Sequence, residues 1–435
     1  MRSIDRRGRP ARNRRLTRRR GWLAATAIPA ALAVLTATGC SGGSGPASTN
    51  SAKTRPAAAA GLTISPANGA KQAAPDKGIT VTATHGKIDH VTVSAGSDPV
   101  AGTLSDDGTH WQSQWALNIA QDYTVTATAT NPAGKTVTAT SSFRTLSPAQ
   151  TFQTQIFEGY NQTYGVGMPV KLTFSRPITN RAAVERSLQI SSSKPVTGAW
   201  YWQNDEDLDF RPQAYWPAGT QVSFTGHLNG VEGAPGVYGD HELTQSFRIG
   251  SSLIVVASTA THYMSLYQDG RRIHTWPIST GRPGDLTPNG TYLTIDKGNP
   301  VDMKGPGYNL EVPWSVRFTW SGDYLHDAYW SVDEQGATNV SHGCVNMRPA
   351  DAETYYKMEV PGDPVTVIGS PAAGVWGNGW TDWFLSWPQL LKGSALGEAV
   401  QAGPAGSTFV NPATLPVSHA SAPLQTSRSG NDTAT

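Results

Sequence analysis

The chain has 435 residues with 45 Gly, 30 Pro, 14 Trp and only 15% charged residues, which exceeds one small module and favours turn-rich β structure over helix bundles or coiled coils. Its two cysteines, Cys40 and Cys344, exclude a disulfide framework or a four-cysteine zinc site within one chain. Of 34 basic and 32 acidic residues, ten arginines and Asp5 fall within residues 1–20, so the remaining 24 basic and 31 acidic residues leave a charge near −7, which argues against a general nucleic-acid binder.

Residues 1–39 combine a basic start with an apolar run from Trp22 to about Leu35, an export signal whose core is short for a transmembrane span. The run ends Ala37-Thr38-Gly39-Cys40, which resembles a bacterial lipoprotein signal in which Cys40 is lipidated and becomes the new N-terminus. Ala37 stands where that pattern prefers Leu. The alternative is an uncleaved anchor with an incidental cysteine, and both readings put the rest of the chain outside the cytoplasm, on the outer face of the cytoplasmic membrane if Cys40 is the anchor. Arg19-Arg20-Gly21-Trp22-Leu23 also resembles a twin-arginine export signal, which leaves two export routes open. Residues 40–60, rich in Gly, Ser, Ala, Pro and Thr, read as a flexible tether with too little apolar surface to offset ordering entropy.

Residues 61–146 alternate Thr with Val and Ala, as in Tyr123-Thr124-Val125-Thr126-Ala127-Thr128, the period of strands with one buried face. Turn signals such as Asp106-Asp107-Gly108 separate the runs, so a β-sandwich is expected. A second β module spans 147–250, with strands near Val170–Phe174, Ala199–Trp202, Leu208–Arg211 and Val222–Thr225. Its Trp200, Trp202, Tyr215 and Trp216 suit either a core or a carbohydrate-stacking platform, and aromatics at strand spacing favour the core.

A third strand-rich module covers 251–370, opening with Leu253–Ser258, Tyr263–Gln268, an Asp269-Gly270 turn and Arg271–Trp276. Near its end lies Ser341-His342-Gly343-Cys344-Val345-Asn346-Met347-Arg348, with His326 eighteen residues before Cys344. A neutral cysteine needs a base to become nucleophilic, which His326 or His342 supplies. Gly343 permits an unusual backbone and close substrate approach, and successive amides there suit an oxyanion. These residues support acyl transfer through a thioester. A buried structural cysteine is the competing reading, and a zinc site of Cys344, His326 and His342 lacks a clear fourth ligand.

The motif resembles the L,D-transpeptidases of the YkuD-like type, in the actinobacterial form with two Ig-like modules before the catalytic domain. His326, fourteen intervening residues and Ser341-His342-Gly343-Cys344-Val345-Asn346 carry the likeness, together with Ile278–Gly281, Thr287–Gly290 and Phe210–Thr220. The resemblance implies a mainly β fold of two Ig-like β-sandwich modules, a YkuD-like β-rich catalytic domain and a short Trp-rich C-terminal segment. It implies Cys344 as nucleophile, His326 as base oriented by the backbone carbonyl of Asp327, and His342, Gly343 and Cys344 amides around the oxyanion. Relatives often carry a small residue at position 327, and a carboxylate there is expected to raise the imidazole pKa. Ser341 and Asn346 support the loop, Arg348 meets either a substrate carboxylate or Asp351, and Met303, Tyr308, Trp314 and Trp320 belong to a lid, with Tyr308 and Trp320 as candidate stem contacts.

The implied reaction joins third residues of peptidoglycan stem peptides, from a tetrapeptide donor to an amine acceptor, in a monomer with no metal or organic cofactor. A hydrolase of wall peptides and a noncatalytic wall-binding protein are the alternatives. In residues 371–394, Trp376, Trp380, Trp383 and Trp387 share one face if the segment is helical, to grip glycan or to dock back on the protein. The composition of 395–435 predicts a disordered tail.

Overall fold

The computed structural model describes residues 58–415 except 97, 306 and 307. Cys40 and the export signal lie outside the described residues.

The Thr/Val alternation produces the expected first sandwich. One sheet runs Gly61–Ser65, Thr80–Thr84, His110–Ser113, Gly102–Leu104, and the other Asp98–Pro99, Lys87–Ala95, Asp122–Thr130, Thr136–Arg144. Along Asp122–Thr130 the residues Tyr123, Val125, Ala127 and Ala129 point inward and are buried, while the threonines face out. Outward Thr126 and Thr140 meet hydroxyl to hydroxyl at 3.3 Å, the cross-strand pairing that supports such a face.

In the second module a sheet of Thr163–Tyr164, Leu243–Ile249, Gln221–Gly226 and Leu188–Ser192 packs on a six-stranded one. The larger sheet runs Thr154–Ile156, Val170–Phe174, Asp207–Pro212, Val196–Trp202, Ala399–Gly403, Gly406–Val410. Trp200, Trp202 and Trp216 are buried in the core with Phe174, Phe210 and Phe224, which excludes them from a carbohydrate platform.

The last two strands of that sheet correct the expectation of disorder from residue 395. Composition alone hides the reason: Val196–Trp202 offers an open edge, and Ala399–Gly403 pairs with it while burying Ala399, Val400 and Ala402. The fully buried Glu185 carboxylate fastens the approach, accepting from Trp202 Nε1 at 2.7 Å, Ser394 Oγ at 2.7 Å and the Ala395 amide at 2.6 Å. Residues 416–435 lie outside the described residues.

The tryptophan segment does not form one helix. Gly377 and Gly379 take φ of +81° and +111°, which breaks the backbone, and regular structure is confined to a 3-10 turn at Asp382–Phe384 and a helix at Trp387–Lys392. Trp380 and Trp383 are nevertheless buried against the second module, with Trp383 Nε1 donating to the Gly167 carbonyl at 2.8 Å and Arg211 lying 4.2 Å over its ring. Docking on the protein is therefore what these two rings do, while Trp376 stays exposed against Tyr201.

The third module has a five-stranded sheet, ordered Arg271–Pro277, Tyr263–Gln268, Leu253–Ser258, Pro364–Ile368, Gly290–Leu293. Facing it is a second sheet of Lys297–Gly298, Ser315–Arg317, Tyr324–Asp327 and Val345–Met347. A separate hairpin, Val301–Gly305 with Tyr308–Val312, occupies the segment expected as a lid. The module is joined to the second sandwich by backbone hydrogen bonds from Gly165 to Pro361 and from Gly167 to Gly362.

Candidate active site

Two parallel strands bring the predicted histidine and cysteine together. Leu325 pairs with Val345 and His326 with Asn346. Leu325 and Val345 are both fully buried in the core of this module. Side chains alternate along a strand, so Tyr324 and His326 share the opposite face with Cys344 and Asn346. Neighbouring strands lie about 4.8 Å apart, and this spacing closes the gap in sequence between the histidine and the thiol.

The loop before Cys344 needs glycine. Gly343 adopts φ +126°, and a Cβ there would lie 2.3 Å from Asp323 Oδ1. Ser341 Oγ donates to the Cys344 carbonyl at 2.6 Å and accepts from the Gly343 amide at 3.2 Å. That amide is thus committed to the loop, which departs from the expected set of oxyanion donors. Thr287 Oγ1 donates to the Gly343 carbonyl at 2.7 Å, and Ser279, Thr280 and Arg282 bond the backbone of Ser341 and Asn346. The two upstream signature segments are therefore the scaffold of the cysteine loop.

His326 is buried, and its Nδ1 lies 2.7 Å from the Asp327 carbonyl oxygen. A carbonyl only accepts, so Nδ1 carries the proton and Nε2 is left as the basic nitrogen. Burial pushes the imidazole down to about 4, against the smaller upward pull of that hydrogen bond. The expected rise from an Asp327 carboxylate does not occur. Its Oδ1 is buried without a partner, and burial raises the Asp327 carboxyl itself.

The Cys344 thiol is partly open and donates to the Gly322 carbonyl at 3.7 Å. Burial first, then the charge of Asp323, push it up to about 12, while the Tyr324 amide pulls it back. Asp323 accepts from Thr319 Oγ1 at 2.8 Å and from Ser321 Oγ at 3.3 Å. The resting site thus has a neutral thiol and a neutral imidazole, a combination in which the base takes the proton as sulfur attacks.

Cys344 and His326 line one cavity of about 330 Å³ with Met303, Ser341, His342 and Asn346 of the predicted set. His342 is exposed, and Asn346 Nδ2 donates to Ser331 Oγ at 3.0 Å. The side chain of Tyr308 lies outside the described residues. Trp320 does not line this cavity: its loop turns the ring toward Trp380, 6.4 Å away, beside a groove containing Lys171 and Gln203. Trp314 packs on Tyr356. Arg348 is an exposed residue at the start of the helix Pro349–Met358 and outside the cavity lining; burial raises the nearby Asp351 carboxyl, and the Arg348 charge opposes that rise in part.

Three residues escaped the sequence reading. Trp330 stacks on His326 with ring centroids 5.8 Å apart, Glu334 lines the cavity, and Asp323 lies against the thiol loop. Only Trp330 had a signal, an aromatic four residues after the histidine.

A bacterial Ig domain family matches residues 70–232 and an L,D-transpeptidase catalytic domain family matches residues 252–367. The chain is 34% identical over 397 residues to L,D-transpeptidase 2 of Mycobacterium tuberculosis, covering 87% of this chain and 96% of that protein. It is 34% identical over 362 residues to L,D-transpeptidase 5 of the same species, covering 80% of each. The solved structure of LD transpeptidase LdtMt1 in complex with imipenem is 37% identical and covers 49% of this chain and 97% of that one, with a TM-score of 0.43.

Proposed function

The chain belongs to the L,D-transpeptidase family, and on that premise we propose that it links third residues of peptidoglycan stem peptides through a Cys344 thioester. The observation that supports this most directly is the tautomer of His326, held by the Asp327 carbonyl with Nε2 free to act as base in the cavity that also contains the thiol.

In the acylation step the Cys344 sulfur attacks the carbonyl of the third residue of a tetrapeptide stem while its proton passes to His326 Nε2. Collapse of the tetrahedral intermediate breaks the peptide bond, and His326 returns the proton to the departing amine of D-alanine. In the second step a side-chain amine of a neighbouring stem attacks the thioester, loses a proton to His326 and regenerates the thiol. Each proton transfer of this kind contributes about 10²–10⁴-fold. We extend the proposal to Cys40, lipidated at the outer face of the cytoplasmic membrane, with residues 40–60 as tether and the sandwiches as stalk; a Cys40→Ala variant is then found free of the membrane fraction.

Purified protein incubated with tetrapeptide stems is expected to release D-alanine and form dimers joined through third residues, with Cys344→Ala inactive. Free tripeptide without dimers makes the enzyme a hydrolase instead, and full activity of Cys344→Ala removes the thioester. A carbapenem, whose strained amide acylates thiols, is expected to leave a mass adduct on Cys344.

A further inference from the structure

The polar wall of the catalytic cavity is largely committed to the protein. Ser331 Oγ accepts from Asn346 Nδ2, Ser341 Oγ is bonded to the backbone of residues 343 and 344, and His326 Nδ1 is held by Asp327. Glu334 is different. Its backbone is fixed in a turn, with the carbonyl accepting from Ala337 at 2.9 Å and Thr338 at 2.8 Å. The residue is half-buried, and its carboxylate makes no hydrogen bond or ion pair with another described residue. The cavity that it lines combines these polar groups with the apolar side chains of Met303, Leu310, Val312 and Val340. A carboxylate that faces the cavity with no protein partner complements a ligand that brings a positive charge.

We propose that Glu334 is a specificity-determining residue that receives the side-chain ammonium of the donor stem's third residue while Cys344 attacks that same residue's carbonyl; this rests on the transpeptidase reading above. The chemistry separates donor from acceptor. An acceptor amine must be neutral to attack the thioester, and a carboxylate holds its partner amine protonated, so the cation on Glu334 is the amine that does not react. Because stems that cross-link through a side-chain amine all carry one, the donor's third residue presents both groups. Thiol and carboxylate line one cavity of about 330 Å³, and in this assignment the two groups of one residue enter it together.

The test uses two donor tetrapeptides that differ only at the third residue, one with a free side-chain amine and one with that amine acetylated. With the same acceptor amine, one that cannot serve as donor, present in excess for both peptides, D-alanine release is followed with the full-length protein and with Glu334→Gln, and the ratio of the two kcat/KM values is read within each protein. The wild type is expected to prefer the free amine by about tenfold, the scale of one charge-assisted hydrogen bond, and Glu334→Gln to bring the ratio near one. Retention of the preference in Glu334→Gln overturns the assignment and leaves the transpeptidase reading standing. Absence of D-alanine release from both peptides with the wild type overturns both.

Discussion

The Nδ1–H of His326 donates to the carbonyl oxygen of Asp327, the next residue, at 2.7 Å. The bond is local and fixes a tautomer, whereas the basicity of the ring is set by its burial. With the imidazole at about 4, His326 stays neutral through most of the acid range and loses its ability to accept a proton only as pH falls through that value. The acid limb of kcat/KM for acylation is therefore expected near pH 4, well below the ordinary histidine range near 6.5. A limb at 6.5 in a pH–rate profile would contradict the burial argument. His326→Ala is expected to lose about 10²–10⁴-fold.

Asp323 opposes ionisation of Cys344, since its negative charge disfavours a second one close by. Replacing it by Asn removes the charge and keeps the shape. Asp323→Asn is expected to lower the thiol pKa, and so to speed iodoacetamide alkylation at pH 8–9; an unchanged pH–rate curve would show that Asp323 carries no charge in the folded protein.

Gly343→Ala should cost about 1–3 kcal/mol from backbone strain alone, because φ +126° disfavours a side chain and the new methyl would meet Asp323 Oδ1. Asp323→Ala in the same chain removes the collision and leaves the strain. The double variant is expected to recover part of the lost Cys344 acylation, measured by mass spectrometry, and no recovery would rule out the collision as the cause.

Truncation after Gly393 removes the hairpin that completes the six-stranded sheet and strips Glu185 of its Ser394 and Ala395 donors. A buried carboxylate left short of donors is costly, about 1–3 kcal/mol or more. Thermal denaturation should show a Tm several degrees lower, and an unchanged Tm would mean that the strand adds little to the sandwich.

Glu158 is fully buried, one of its oxygens has no partner, and desolvation pushes its pKa up to about 8. Its folded pKa exceeds its unfolded one, so the native state binds the proton more tightly and stability declines as pH rises from about 4.5 toward 8. The decline from this one group is at most about 1.4 kcal/mol per pH unit. Glu158→Gln should flatten that part of the stability curve in urea titrations at several pH values, and an identical slope would show that the carboxyl is not the source.

Much of the architecture was legible in the sequence because it is encoded locally. The alternation in residues 122–130 specifies a strand and its buried face, and the runs Leu253–Ser258 and Tyr263–Gln268 appear in the structure with those bounds. The chemistry was legible where residue type and spacing are themselves the requirement: a thiol, a glycine before it and a histidine upstream. Tertiary structure decided what depends on segments far apart in the chain. It moved Trp320 out of the cavity, brought Glu334 and Trp330 into it, set Asp323 against Gly343, and gave the tail from Ala399 a sheet edge to complete. It also decided that His326 rests as a neutral base and Cys344 as a neutral thiol, because desolvation depends on everything packed around a group and no spacing of residues along the chain records it.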